Sequence, residues 1–383
     1  MPQKTDAPTC LYQSLGATPG CRRLSSALYA HIARDPRLGP LFPGKTHKCA
    51  IEAFAAFLVQ FLGGPSEDTQ RRWWVSLRES HLRFKIGQDR RDAWMQNMCK
   101  ALDETTIEEP VRRALREFFE KSSSYLINDR GPDPQVCAGR PRPMPLDSEL
   151  ADRWQSQLRL DDAVAAIRAR DTARTMELAE TCTTPNRSVY AALLALMIAT
   201  DASDLLAYAR EKLLADPALA TERYGGRTLL HAAAAAGTVP LLDLLLRLGA
   251  DPNTPDDGGH TPIYSVANEY QAPGGGDVVH ALAKAGADMD AHRGGQRCTA
   301  LHMAARRDNT DVAAALLDCG ADIEARDRLG ETPLRRAVNC NQTKVAALLL
   351  SRGADRHSLG SKRLTPQSAA RTSAMKQIFE SGM

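Results

Sequence analysis

His81 is the residue of this chain whose type and setting most invite chemistry. Leu77 and Trp74 precede it at helical steps of four and three, so the three share one apolar helix face. His81 falls at the C-terminal end of that helix, and Phe84-Lys85-Ile86-Gly87 breaks the pattern after it. A lone imidazole on an apolar face does one of two jobs. It hydrogen-bonds within the core, or it offers a neutral ring nitrogen to a metal. Other candidate chemistry falls away on spacing. The nine cysteines include no Cys-x-x-Cys pair, which fits reduced, mostly buried thiols rather than a disulfide framework. Cys49 stands beside Lys48, whose charge favours a thiolate, although an inert thiol is the plainer reading. Gly274-Gly275-Gly276 lacks a strand-to-helix setting, and no Gly-x-Gly-x-x-Gly nucleotide fingerprint is present.

The elements that must position His81 are helices. Leu24, Leu28 and Ile32 form one apolar face with Tyr29 beside it, and Asp35-Pro36 ends that helix. Ile51, Phe54, Leu58 and Phe61 follow at steps of three, four and three, until Gly63-Gly64-Pro65 stops the helix. A further helix opens near Gln88 and carries Trp94, Met98 and Leu102 inward. The last runs from near Glu109 to Leu126 with Val111, Leu115, Phe118 and Tyr125. The expectation is an all-α domain over residues 11–128. Pro132, Pro134, Pro141, Pro143 and Pro145 then mark residues 129–147 as a linker, because proline at this density excludes helix.

A helical segment over 148–222 leads into repeats over 223–383. Thr228-Leu-Leu-His231, Thr261-Pro-Ile-Tyr264, Thr299-Ala-Leu-His302, Thr332-Pro-Leu-Arg335 and Thr365-Pro-Gln-Ser368 are copies of one motif, spaced 33, 38, 33 and 33. Gly-Ala-Asp recurs at Gly249, Gly286, Gly320 and Gly353. Each unit predicts a helix capped by threonine, a Leu-rich second helix closed by a left-handed glycine, and a polar turn. These units resemble ankyrin repeats, and Ser203 to Ala220 resembles a degenerate earlier copy. The 38-residue step carries an insertion, placed at Tyr270 to Asp277. His231 and His302 have no partners at metal-ligand spacing and read as hydrogen-bonded motif residues. Arg306-Arg307 and Arg335-Arg336 read as a solvated face or a basic stripe.

Composition is that of a globular chain: 383 residues, 43% hydrophobic and 25% charged. The net charge of +3, with acids and bases interspersed, argues against a dedicated nucleic-acid or membrane surface. The longest apolar stretch, Tyr190 to Ala199, is too short to span a bilayer. With no apolar run at the N-terminus, a cytoplasmic location is expected.

The N-terminal block resembles a truncated haemoglobin of the second group. The resemblance is carried by Leu11 to Ala17, Ala27 to Pro36, Gly39-Pro-Leu-Phe-Pro43, Phe57 to Pro65, and above all the run from Ser80 to Met98. It implies a 2-over-2 helical globin fold holding haem b, and it assigns roles. His81 matches the proximal histidine that binds the iron. Tyr29 and Trp94 match the distal donors to a diatomic ligand (O2, NO or CO), and Phe42 matches the ring that wedges against the haem edge. Ala50 takes the distal gate position, and Phe54 lies one turn later, where it would crowd the pocket. Phe84 also lines the cofactor. Lys85 or Arg83 pairs with a propionate. His31 and His47 are open candidates for a second iron ligand. The stretch from Gly44 to Lys48 departs from the family pattern.

The resemblances together imply a haem-binding globin tethered to an ankyrin protein-interaction module, acting as a gas or redox sensor or as a ligand carrier. Two alternatives stand beside it. One is a nitric-oxide dioxygenase or peroxidase, which would need an external reductase, because no flavin or nicotinamide fingerprint is present. The other is an ankyrin scaffold whose globin-like domain holds no haem.

Overall fold

The structure is a computed structural model that describes residues 11–42, 47–65, 76–129, 148–181, 187–292, 295–360 and 364–381. It forms two compact units, Met1–Asn186 and Arg187–Met383. Trp74 and residues 130–147, most of the proline-rich segment, lie outside the described residues.

The first unit is all helical. Its elements are α1 (Leu11–Ser14), α2 (Ala17–Ile32), α3 (Lys48–Phe61), α4 (Leu77–His81), α5 (Gln88–Glu104), α6 (Glu109–Tyr125), α7 (Ser148–Arg168) and α8 (Thr172–Thr181). α2 packs on α3 and α5, and α5 packs on α6. Leu24, Leu28, Leu58, Met98, Leu102, Leu115 and Phe118 are fully buried where these helices meet. Each such side chain contributes about 1.5–3 kcal/mol through burial. The predicted apolar faces are therefore the faces that pack.

α7 packs against this core. Leu150 and Trp154 belong to the same buried cluster. The Trp154 ring stands edge-on to Phe118 (5.7 Å, 80°) and to Tyr125 (5.5 Å, 88°). Arg153 Nη1 donates to the Phe61 carbonyl at 3.2 Å, at the end of α3.

The second unit opens with α9 (Arg187–Ile198) and α10 (Ser203–Ala215), then a short hairpin of β1 (Arg223–Tyr224) and β2 (Arg227–Thr228) paired antiparallel. Helix pairs follow: α11 (Leu229–Ala236) with α12 (Val239–Arg247), α13 (Pro262–Glu269) with α14 (Gly275–Lys284), and α15 (Ala300–Arg307) with α16 (Thr310–Asp318). α17 (Pro333–Asn339) with α18 (Thr343–Ser351), and α19 (Pro366–Ala369) with α20 (Ser373–Ser381), complete the series. First helices stack on first helices (α9, α11, α13, α15, α17, α19) and second on second (α10 through α20). Gly249, Gly286, Gly320 and Gly353 close the second helices at φ 95°, 87°, 89° and 91°, as the left-handed reading requires.

The threonine caps differ in one unit. Thr228 and Thr299 form capping boxes with His231 and His302, while Thr332 and Thr365 accept from Arg335 N (3.3 Å) and Ser368 N (3.1 Å). Thr261 makes no such cap, and its buried hydroxyl lacks a hydrogen-bond partner among the described residues. Tyr264 stands where the boxes have histidine and offers no ring nitrogen; it stacks on His260 at 4.2 Å instead.

Arg306 and Arg307 lie on the solvated face, but the second pair does not continue it. Arg335 is buried, and Arg336 is bonded to Asp327. The insertion between α13 and α14 is tied down. Asp311 Oδ2 accepts from Gly274 N (3.2 Å) and Gly276 N (2.9 Å), and Asn309 Nδ2 donates to the Tyr270 carbonyl at 3.0 Å.

Candidate functional site

α4 is a five-residue helix whose start is capped by Ser76, which accepts from Glu79 N at 3.0 Å. His81 ends it, half-buried. Its Nδ1 lies 2.7 Å from the Leu77 carbonyl oxygen and 2.9 Å from Ser80 Oγ, which itself donates to the same carbonyl at 2.6 Å. A carbonyl only accepts, so Nδ1 carries the hydrogen and Nε2 the lone pair. No described hydrogen bond engages Nε2. Burial lowers the pKa of His81 most, against the pull of the Leu77 carbonyl, and the charge of Arg83 lowers it further. The ring is thus a neutral base presenting Nε2.

The segment after His81 is held from a distance. Asn128, just past α6, donates from Nδ2 to the carbonyls of His81 (3.2 Å) and Phe84 (2.8 Å) and accepts from Ile86 N at 2.8 Å. This fixes Phe84, whose ring lies 6.4 Å from His81 and 5.8 Å from Phe42. Phe42 meets Tyr29 edge-on at 5.3 Å. A run of rings therefore joins His81 to Tyr29 through Phe84 and Phe42. Arg83 lies over Phe84 at 4.7 Å, and its charge acts on both Tyr29 and His81. Tyr29 carries no described hydrogen bond at its hydroxyl. Burial pushes its pKa up to about 12, so the phenol keeps its proton.

Trp94 and Phe54 gather in a second group. Their rings lie 6.2 Å apart at 83°, and both pack on Phe119 at 5.7 Å and 6.2 Å. No described ring contact joins them to Tyr29. Ala50 is half-buried near the start of α3. Its neighbour Ile51 accepts from Ser25 Oγ at 2.7 Å, which ties α3 to α2. Lys85 is exposed, and its side chain makes no described contact. Of the two, Arg83 is the one with a described contact, over the Phe84 ring. His31 Nε2 pairs with Glu104 Oε2 at 3.0 Å, on the α5 side. His47 instead stacks on Tyr29 at 6.2 Å, with its Nε2 buried and unpartnered among the described residues. Cys49 is exposed at the start of α3.

Sequence reasoning missed Asn128 and Asp161. Each acts through the backbone of a segment more than forty residues away, for which local periodicity carries no signal.

Fold and site together define a helical globin joined in one chain to a stack of ankyrin repeats. Residues 10–128 match the bacterial-like globin family, residues 225–257 match the ankyrin repeat, and residues 270–358 match a family of three ankyrin copies. Group 2 truncated hemoglobin YjbI of Bacillus subtilis is 32% identical over 128 residues, 33% of this chain and 93% of that protein. The chain belongs, through its N-terminal part, to the group 2 truncated haemoglobins. Its C-terminal part is similar to ankyrin repeat and SOCS box protein 16 of Homo sapiens (34% identical, 38% of this chain, 33% of that protein). It is also similar to the nuclear factor NF-kappa-B p105 subunit of Gallus gallus (34% identical, 34% of this chain, 13% of that protein). The chain thus spans a third or less of these ankyrin relatives. No described helix is long and apolar enough to cross a membrane.

Proposed function

We propose that the N-terminal unit binds haem b through His81 Nε2 and takes up O2, NO or CO on the side of Tyr29. The ankyrin stack would tie this unit to a protein partner, as a gas or redox sensor or as a ligand carrier. The observation that carries the reading is the engaged Nδ1 of His81, which leaves a neutral Nε2 as the ligand atom. The donor set fits haem. One imidazole supplies the axial nitrogen, Phe42 and Phe84 supply flat apolar walls, and Arg83 supplies a cation for a propionate. Haem, when bound, supplies an iron that holds a diatomic gas or exchanges an electron.

The chain's own residues do the rest. Leu77 and Ser80 fix the plane and tautomer of His81. Tyr29 offers a phenol O–H that stays protonated, suited to a ligand carrying partial negative charge. Trp94, whose indole N–H is the second donor toward the ligand in this reading, packs with Phe54 against Phe119. The similarity to ankyrin proteins supports a protein partner for the second unit.

The test is a haemin titration of the purified full chain, followed in the visible spectrum, for wild type and His81→Ala. A Soret band that saturates at one haem per chain and is disrupted by the substitution supports the reading. No stoichiometric haem, or binding indifferent to His81, sinks it.

A further inference from the structure

Asp161 of α7 lies outside the residues that match the globin family, yet it reaches the start of α4. Oδ1 accepts from the backbone N–H of Leu77 at 2.8 Å, and Oδ2 accepts from that of Arg78 at 3.3 Å. Gln157 Nε2 donates to Oδ1 at 3.1 Å, and the hydroxyls of Tyr125 and Ser76 donate as well. The residue is only 4% exposed. Burial pushes its carboxyl pKa up, and these hydrogen bonds oppose that push. The groups converging on it are donors, the surroundings that suit a carboxylate anion.

The bond from Arg78 matters most. Its N–H and the Leu77 carbonyl belong to the same planar peptide unit. On the far side, that carbonyl accepts from His81 Nδ1 at 2.7 Å. A carboxylate, one peptide group and the imidazole thus form a continuous chain of hydrogen bonds. An anion at the N–H end of a peptide pushes electron density onto its carbonyl oxygen. That oxygen then holds the Nδ1 hydrogen more strongly, which makes Nε2 a stronger donor to a metal.

We propose that Asp161 is a positioning residue for His81. Through the peptide between Leu77 and Arg78 it sets the orientation of the imidazole and the donor strength of Nε2. The inference rests on the reading of His81 as the haem ligand. It makes α7 part of the proximal side of the haem. A plain helix cap would stabilise α4 to the same degree but would leave the electronics of His81 unchanged.

The test uses the full chain reconstituted with haemin and reduced with dithionite. The readouts are the iron–histidine stretching band in resonance Raman spectra and the midpoint potential of the haem. Asp161→Asn removes the charge with little change of shape. It is expected to lower the stretching frequency and raise the potential, because a weaker donor stabilises ferric iron less. Tyr125→Phe removes a donor from the carboxylate while keeping the ring against Trp154 and Arg78. Its charge then acts more fully on the peptide, and both readouts should move the opposite way. If Asp161→Asn does not fold, the sign of the Tyr125→Phe shift decides alone. Wild-type values in both variants at one haem per chain, or shifts of the same sign in both, would overturn the proposal. Failure of the wild type to hold haem would sink the functional reading and this inference with it.

Discussion

Tyr29 and Phe42 meet edge to face, with centroids 5.3 Å apart and planes at 85°. The contact sets the tilt of the phenol, and burial holds its pKa near 12, so the hydroxyl remains a donor well into the alkaline range. Tyr29→Phe keeps the ring contact and removes the donor. A lost hydrogen bond of about 1.4 kcal/mol corresponds to about tenfold faster release of bound O2. Stopped-flow displacement of O2 by CO measures this, and an unchanged release rate would remove Tyr29 from the ligand site.

A second prediction separates the ligand role of His81 from its packing. His81→Gly leaves a gap of imidazole size beside Phe84, since the two rings lie 6.4 Å apart. Added imidazole is expected to restore the absorption spectrum of the haem-loaded chain. Restoration absent at saturating imidazole, in a variant that still folds, would count against Nε2 as the ligand atom.

Periodicity alone puts His81 and Trp94 on apolar helix faces, whereas Phe42 and the donor role of Tyr29 come from the resemblance to truncated haemoglobins; the structure brings Phe42 to 5.3 Å from Tyr29. The repeats were legible because their period is fixed and their glycines need a left-handed backbone. Asp161 was not, because its partner Leu77 lies 84 residues away and only tertiary packing joins them. The pair Arg335-Arg336 misled for a related reason, while Arg306 and Arg307 are exposed as a solvated face requires. Arg335 stands at the position of His231 and His302, and charge alone does not show that a motif position is buried. Lys85 and Arg83 were equal as propionate partners in sequence. In the structure Arg83 lies over the Phe84 ring at 4.7 Å, while the exposed Lys85 side chain makes no described contact.

Trp154 tests the attachment of α7. It is 1% exposed and packs on Phe118 and Tyr125. Trp154→Ala opens a large cavity and should destabilise the first unit by about 3–5 kcal/mol. Urea unfolding followed by circular dichroism gives the value. A loss under about 1 kcal/mol would mean that α7 is not part of this core.

Acid should weaken the ankyrin stack. His231 Nδ1 accepts from Thr228 N at 3.2 Å, and its Nε2 lies 3.1 Å from the His260 carbonyl, so the neutral ring is fully used. Burial is the main cause that lowers its pKa from 6.5 to about 4, and burial likewise lowers that of His302. The unfolded chain therefore binds protons below about pH 6.5 that the native chain resists until about pH 4. Stability contributed by His231 is complete above that window and falls as pH drops through it, by about 1.4 kcal/mol per unit at most. Urea midpoints compared at about pH 7.5 and about pH 5 should show the loss, and His231→Gln should shrink it. Equal losses in the two proteins would assign the acid sensitivity elsewhere.

Arg335 does by charge what histidine does in two other units. His231 Nε2 and His302 Nε2 bridge to the carbonyls of His260 and Glu331, 29 residues on. Arg335 Nη1 bridges to Leu364 (3.1 Å) and Thr365 (2.8 Å) in the same way, with Nε 3.1 Å from Glu331 Oε2. Both side chains are under a tenth exposed, at 6% and 8%. Arg335→Ala removes the cation facing this buried carboxylate together with the bridges to Leu364 and Thr365, and should cost about 3–5 kcal/mol. Adding Glu331→Gln removes that charge, so the double variant should recover about 1–3 kcal/mol relative to additive losses. A double-mutant cycle on urea unfolding measures the coupling. Strict additivity would mean that the two side chains are close without being energetically joined, and the cost of Arg335→Ala would lie in the lost bridges to Leu364 and Thr365.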